Sequence, residues 1–82
     1  MRVELLASAV ADIRQEKAFY RKINRRLAVQ FQVSVENAVE AAAADPLAMQ
    51  ALEIEIRRWP LKGFPHGVMY RVEADFILVL SV

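Results

Sequence analysis

The sequence predicts an α+β domain with element order β-α-α-β-β-β. Three observations carry this. Apolar residues recur at helical spacing from Val10 to Ala42, without a glycine or proline before Pro46. The segments 54–59 and 67–72 alternate as half-buried strands do. Phe76 to Val82 is apolar at every position except Ser81. The 82 residues are read as one domain, 1–82, a size that buries only about two-thirds of its unfolded surface and leaves a thin margin of stability.

The elements follow in order. Arg2 to Leu6 reads as a short strand. Ser8 is the expected N-cap of the first helix, with Asp12 near its electropositive first turn. Val10, Ile13, Tyr20 and Ile23 form an apolar stripe, and Leu27, Phe31, Val35, Ala38 and Ala42 continue it. Local rules permit one helix from Ser8 to Ala44. A helix of that length could not bury one face on so small a domain, so a turn is placed near Asn24, giving a helical hairpin. Asp45-Pro46 ends the second helix, since the residue before proline avoids helical geometry. Leu47 to Leu52 reads as a connector. Ile54, Ile56 and Arg58 then alternate with Glu55, Arg57 and Trp59 in a strand. Pro60 and Pro65 bracket a loop containing Gly63. In the next strand Val68, Tyr70 and Val72 take one face, Met69 and Arg71 the other. Glu73-Ala74-Asp75 is the turn. The last strand, apolar on both sides, is expected to be central or masked by a partner.

Composition narrows the function. There is no cysteine, which fits a reducing cytoplasm. No signal peptide is evident, and Phe76 to Leu80 is too short to span a bilayer; no membrane partner is expected. Mean hydropathy is +0.20 with 56% hydrophobic residues, through alanines, through apolar surface kept for a partner, or both. Net charge is +1, yet the charges are segregated. Six cations against Glu16 alone lie between Arg14 and Arg26, five acids and no cation between Leu27 and Ile56, and no acid between Arg57 and Arg71. The helical block is read as solvated faces whose opposite signs pair across the fold. The second block is read as functional: Arg57 and Arg71 are assigned to the face away from Ile54, Ile56, Val68 and Tyr70, and with Arg58 and the loop residue Lys62 they form a positive patch for phosphates or an acidic segment. The competing reading pairs these cations with Glu53, Glu55 and Glu73 across strands, at about 0.2–1 kcal/mol each. His66, the single imidazole, suits a general base or a packing role. Trp59 suits base stacking or the core, and Tyr70 the core. No metal cluster, phosphate loop or nucleophile–base motif is present, and no cofactor is expected.

The run from Ile56 to Glu73, with Arg57-Arg58-Trp59-Pro60-Leu61-Lys62-Gly63-Phe64-Pro65-His66-Gly67-Val68-Met69-Tyr70-Arg71-Val72 at its heart, resembles the sheet signature of the ParE/RelE superfamily, the toxins of type II toxin–antitoxin (plasmid stabilisation) pairs. Ser8, Ala9, Ala11, Asp12 and Ile13 resemble the family's helix start. The Phe19-Tyr20 pair, the second helix ending before Pro46 and the apolar strand to Leu80 extend the likeness over nearly the whole chain. The resemblance implies a helical hairpin packed on a twisted, mostly antiparallel sheet in a cytoplasmic protein held inactive by a cognate antitoxin. That antitoxin is expected as a helix on an apolar groove or as an added strand; without it, self-association is expected to cover the same patch.

The family contains two chemistries. RelE-like members cut messenger RNA on the ribosome with sheet Lys and Arg residues and a C-terminal basic or aromatic residue. ParE-like members bind DNA gyrase and cut nothing. Here Gly67 stands where the RelE-like arginine would be, and the chain reaches Val82 without the His-x-x-Arg segment often found after the last strand. The resemblance thus implies a ParE-like, non-enzymatic toxin. The alternatives are a RelE-like, ribosome-dependent mRNA endonuclease and a truncated, inactive toxin-fold binding module.

Overall fold

The computed structural model describes residues 1–82 as β1 (Arg2–Leu5), α1 (Ala7–Ile23), α2 (Arg25–Ala44), β2 (Ala51–Glu53), β3 (Ile56–Pro60), β4 (Gly67–Val72) and β5 (Phe76–Ser81). The five strands form one sheet in the order β1-β5-β4-β3-β2. β5 pairs with β1 in parallel and with β4 antiparallel, and β3 joins β4 and β2 antiparallel. The sheet is mostly antiparallel, and its most apolar strand is internal, as a strand apolar on both sides requires.

Asn24 separates the helices. Its extended backbone ends α1, and its side-chain oxygen accepts from the Leu27 N–H at 2.7 Å, capping α2. α2 stops at Ala44 with Asp45 as its C-cap, before Pro46. At the other end Ser8 is not the N-cap. α1 begins at Ala7 after Leu6, without side-chain capping; the Ser8 hydroxyl instead donates to the Leu80 carbonyl at 2.8 Å, tying helix to β5. Asp12 accepts the Val82 N–H at 3.1 Å in the same way.

Between α2 and β4 the chain departs from the expected single strand. β2 and β3 form a hairpin turned at Ile54 and Glu55, with Glu55 at φ 61°. Ile54, expected on the buried side of a strand, is 90% exposed at this turn. The Leu47–Leu52 connector ends by entering β2.

Both helices lie on one face of the sheet. Phe31, Val35, Ala38, Ala42 and Ala43 of α2 and Ala9 of α1 pack against Val68, Tyr70, Ile77 and Val79. Alanines let α2 sit close to the sheet. Tyr70, Phe31, Ile77, Val68 and Val79 are fully buried, each contributing about 1.5–3 kcal/mol of transfer free energy. The buried Tyr70 hydroxyl donates to the Pro46 carbonyl at 2.8 Å.

Candidate functional site

Strand register decides which cations share a face. Trp59 pairs with Val68 and Arg57 with Tyr70, so Arg57 and Trp59 point to the helix side with the core. Arg58 pairs with Met69, Ile56 with Arg71, and Arg71 with Leu78, which puts Arg58 and Arg71 on the open face. The hairpin at Ile54 and Glu55 moves the frame: Ile56, assigned from the sequence to the helix side, is also on the open face. The expected single patch of Arg57, Arg58, Lys62 and Arg71 is therefore divided between two faces.

The open face is apolar with charged margins. Phe76, Leu78, Leu80 and Met69 are half-buried there. The Arg2 guanidinium stands 5.2 Å from the Phe76 ring centroid and pairs with Glu4 at 3.0 Å. Arg71 donates to Glu73 at 2.6 Å; both side chains are half-buried and still reach solvent, so the pair adds modestly to stability. Arg58 curls over Gly67 and donates to the Pro65 carbonyl at 3.1 Å.

On the other side, Arg57 is half-buried, and its Nε and Nη1 are enclosed without a hydrogen-bond partner in the protein. Its charge is close enough to Tyr70 to act on it. Burial pushes the Tyr70 phenol above its ordinary value; Arg57 draws it back and Asp45 adds to the rise.

Trp59 packs partly on the core and lines a groove of about 410 Å³ between α2 and β3, with Val29, Val33 and Lys62. Val29 is 56% and Val33 48% exposed, which makes one side of this groove apolar and open. The Lys62 carbonyl accepts from the buried Ser34 hydroxyl at 2.9 Å, fixing the loop against α2. The sequence reading missed this groove. Val29 and Val33, four residues apart, lie off the buried stripe, and that spacing was its available signal.

His66 stands within an aromatic cluster, its ring centroid 5.1 Å from Phe31 and 6.0 Å from Tyr20. Phe64 meets both rings edge-on. His66 Nε2 lies 3.1 Å from Glu16 Oε2, linking the β3–β4 loop to α1, and its backbone carbonyl accepts from Leu61 N–H at 2.9 Å, closing that loop. The geometry is that of packing.

The helical cations do not pair across the fold as expected. The ion pairs are Arg2–Glu4 and Arg71–Glu73, and Glu16 meets His66; none of these contacts includes a cation from Arg14 to Arg26. No cluster of three or more His, Cys, Asp or Glu side chains is placed to hold a metal, and no helix is long and apolar enough to cross a membrane.

No protein-family model matches the chain, and no curated protein matches it. Among solved structures, a chain of the chromosomal ParDE TA system from P. aeruginosa is similar, with a TM-score of 0.83 and 20% sequence identity over 99% of this chain and 91% of that chain. The two share one fold, the ParE-like arrangement that the sheet signature resembles.

Proposed function

We propose that this chain is the toxin of a type II toxin–antitoxin pair, ParE-like in action: it binds a protein target, DNA gyrase, and is neutralised by a cognate antitoxin. The observation that carries the reading is the groove beside Trp59, on a fold shared from end to end with a chain of a ParDE TA system. Val29 and Val33 on α2 and Trp59 on β3 offer apolar contacts from the two walls, and Lys62 offers a cation at the rim, a seat for an amphipathic helix with an acidic flank. Three of the basic groups that RNA cleavage could use are engaged within the protein, and Arg57 is enclosed on the helix side of the sheet. Arg58 is held to Pro65, Arg71 to Glu73 and His66 to Glu16, whereas cleavage through a 2′-hydroxyl needs groups free to move a proton and to meet a phosphorane.

The RelE-like reading has one observation in its favour, that Arg58 and Arg71 share the open face. Expression in a bacterial host tests the toxin reading. Growth arrest rescued by the adjacent gene supports it, and unimpaired growth leaves the inactive binding module in its place. A supercoiling assay with purified gyrase separates the two chemistries: inhibition supports the ParE-like reading, whereas intact supercoiling with cuts in ribosome-bound message replaces it with the RelE-like one.

A further inference from the structure

Six cations run from the middle of α1 round the closed end of the helical hairpin. Arg14, Lys17, Arg21 and Lys22 lie on α1, and Arg25 and Arg26 open α2. None lies within ion-pair distance of a carboxylate; the ion pairs are all elsewhere. Glu16, the one acid of this stretch, is turned to His66. Arg14, Lys17 and Arg21 follow the i, i+3, i+7 spacing of one helix face, about 10 Å from first to last. Lys17 and Arg21 join Arg25 in lining a cleft of about 500 Å³ between the helices.

A second observation is independent of the cleft. α2 has Arg25 and Arg26 in its first turn and no acid there. The first turn is the positive end of the helix macrodipole, so cations there weaken the helix. The chain thus carries a charge arrangement that its own secondary structure disfavours, with the positive potential concentrated where the basic last turn of α1 meets the start of α2.

We infer that this cleft binds the phosphodiester backbone of a nucleic acid. Guanidinium groups pair with phosphate oxygens through two parallel hydrogen bonds, and a line of unpaired cations is the electrostatic footprint of backbone binding. The lining favours this over a protein helix, because three of its eight residues are cations and, although it shares Val29 and Val33 with the groove beside Trp59, it lacks that groove's aromatic anchor. Glu36 at the far end of the cleft directs the backbone toward the hairpin tip rather than along α2. The inference does not depend on the toxin reading.

Fluorescence anisotropy of the purified, nuclease-treated chain tests it, with labelled duplex DNA and labelled single-stranded RNA of mixed sequence as probes. We expect at least one to bind with a dissociation constant of about 10⁻⁶ to 10⁻⁴ M at physiological salt, weakening with salt at a log–log slope of about −3 for the duplex or about −2 for the single strand, as three neutralised phosphates require. The double variant R21A/R25A should raise the dissociation constant about tenfold or more and bring the slope about two units nearer zero, while circular dichroism shows the fold retained. R2A, which alters a cation on the sheet, should leave both unchanged. Whichever probe binds identifies the source of the backbone. Failure of both probes at low salt overturns the inference, as does binding indifferent to R21A/R25A. Displacement by polyglutamate as effective as by unlabelled nucleic acid of equal charge also overturns it and assigns the cleft to an acidic protein segment.

Discussion

Arg58 lies over Gly67 so closely that a methyl group on the Gly67 Cα would stand 2.5 Å from Arg58 Nε and 2.6 Å from its Cζ. What constrains this position is space taken by the flexible Arg58 side chain rather than a left-handed backbone. A strand residue without a side chain opens a channel across the sheet, and the neighbouring arginine fills it, reaching the Pro65 carbonyl. From the sequence, Gly67 looked like a missing arginine. In the fold a guanidinium does stand over that position, supplied by the adjacent strand.

The relationship yields a double-mutant prediction. In Gly67→Ala, Arg58 must swing into solvent and release Pro65, a loss of about 0.5–1.5 kcal/mol. Arg58→Ala loses the same bond. The costs should not add: G67A/R58A should be no less stable than R58A alone, because the clash and its victim vanish together. Thermal unfolding checks this, at about 4–8 °C per kcal/mol for a domain of this size. Additive losses would mean that Gly67 is needed for a different reason.

A second prediction concerns Tyr70. Its phenol is raised above the ordinary value of about 10 by burial, so the fold favours the protonated form. The sign follows by linkage: the contribution is fully present below the unfolded value and is lost as pH rises through the folded one. Wild-type stability should therefore fall above about pH 10 more steeply than that of Tyr70→Phe. At neutral pH Tyr70→Phe should cost about 0.5–1.5 kcal/mol, since the Pro46 carbonyl loses its donor. Parallel pH profiles for the two proteins would show that Tyr70 does not govern the alkaline limb.

Asn24 carries a third. Asn24→Ala removes the cap on the Leu27 N–H and should cost about 1 kcal/mol. Because α2 also packs on the sheet, helical content by circular dichroism should stay near the wild-type level while the melting temperature falls. An unchanged melting temperature would show that solvent caps α2 as well as Asn24 does.

The positions that were legible in the sequence share a physical reason. Asn24 and Asp45-Pro46 were readable because one helix of 37 residues could not bury its stripe and because proline restricts its predecessor. β4 showed through its alternation, and β5 through apolar residues on both faces. The β2–β3 hairpin was hidden because its turn at Ile54 and Glu55 has no glycine, asparagine or aspartate to mark it, and Glu55 takes positive φ all the same. That one omission shifted the strand frame, and with it the face given to Arg57 and Ile56, since a slip of one residue exchanges the faces. The spacing of Val29 and Val33 marks the apolar side of the Trp59 groove, but its other wall depends on how far α2 stands from β3, which no local pattern encodes.

The division of the basic residues between two faces makes the last prediction. Arg58 and Arg71 are exposed enough to be exchanged without disturbing the core, whereas Arg57 is half-buried beside Tyr70 with two enclosed donors. Charge reversal should therefore separate them. R58E/R71E should fold with a melting temperature within a few degrees of wild type, the losses being one half-buried ion pair and one exposed hydrogen bond. If the open face meets an acidic partner segment, this variant should bind the partner more weakly and with a flatter dependence on salt. Arg57→Glu should instead unfold the protein or lower its melting temperature sharply, because a carboxylate would be placed near the buried Tyr70 and Asp45. Arg57→Met, which keeps the aliphatic volume and removes two unpartnered donors, should be neutral or stabilising. Partner titration by calorimetry at two salt concentrations, beside thermal unfolding of each variant, reads both arms. Unchanged affinity and salt dependence in R58E/R71E would reduce the open-face cations to solvated charges, and a strongly destabilised R57M would show that the Arg57 guanidinium supports the end of α2 through its charge.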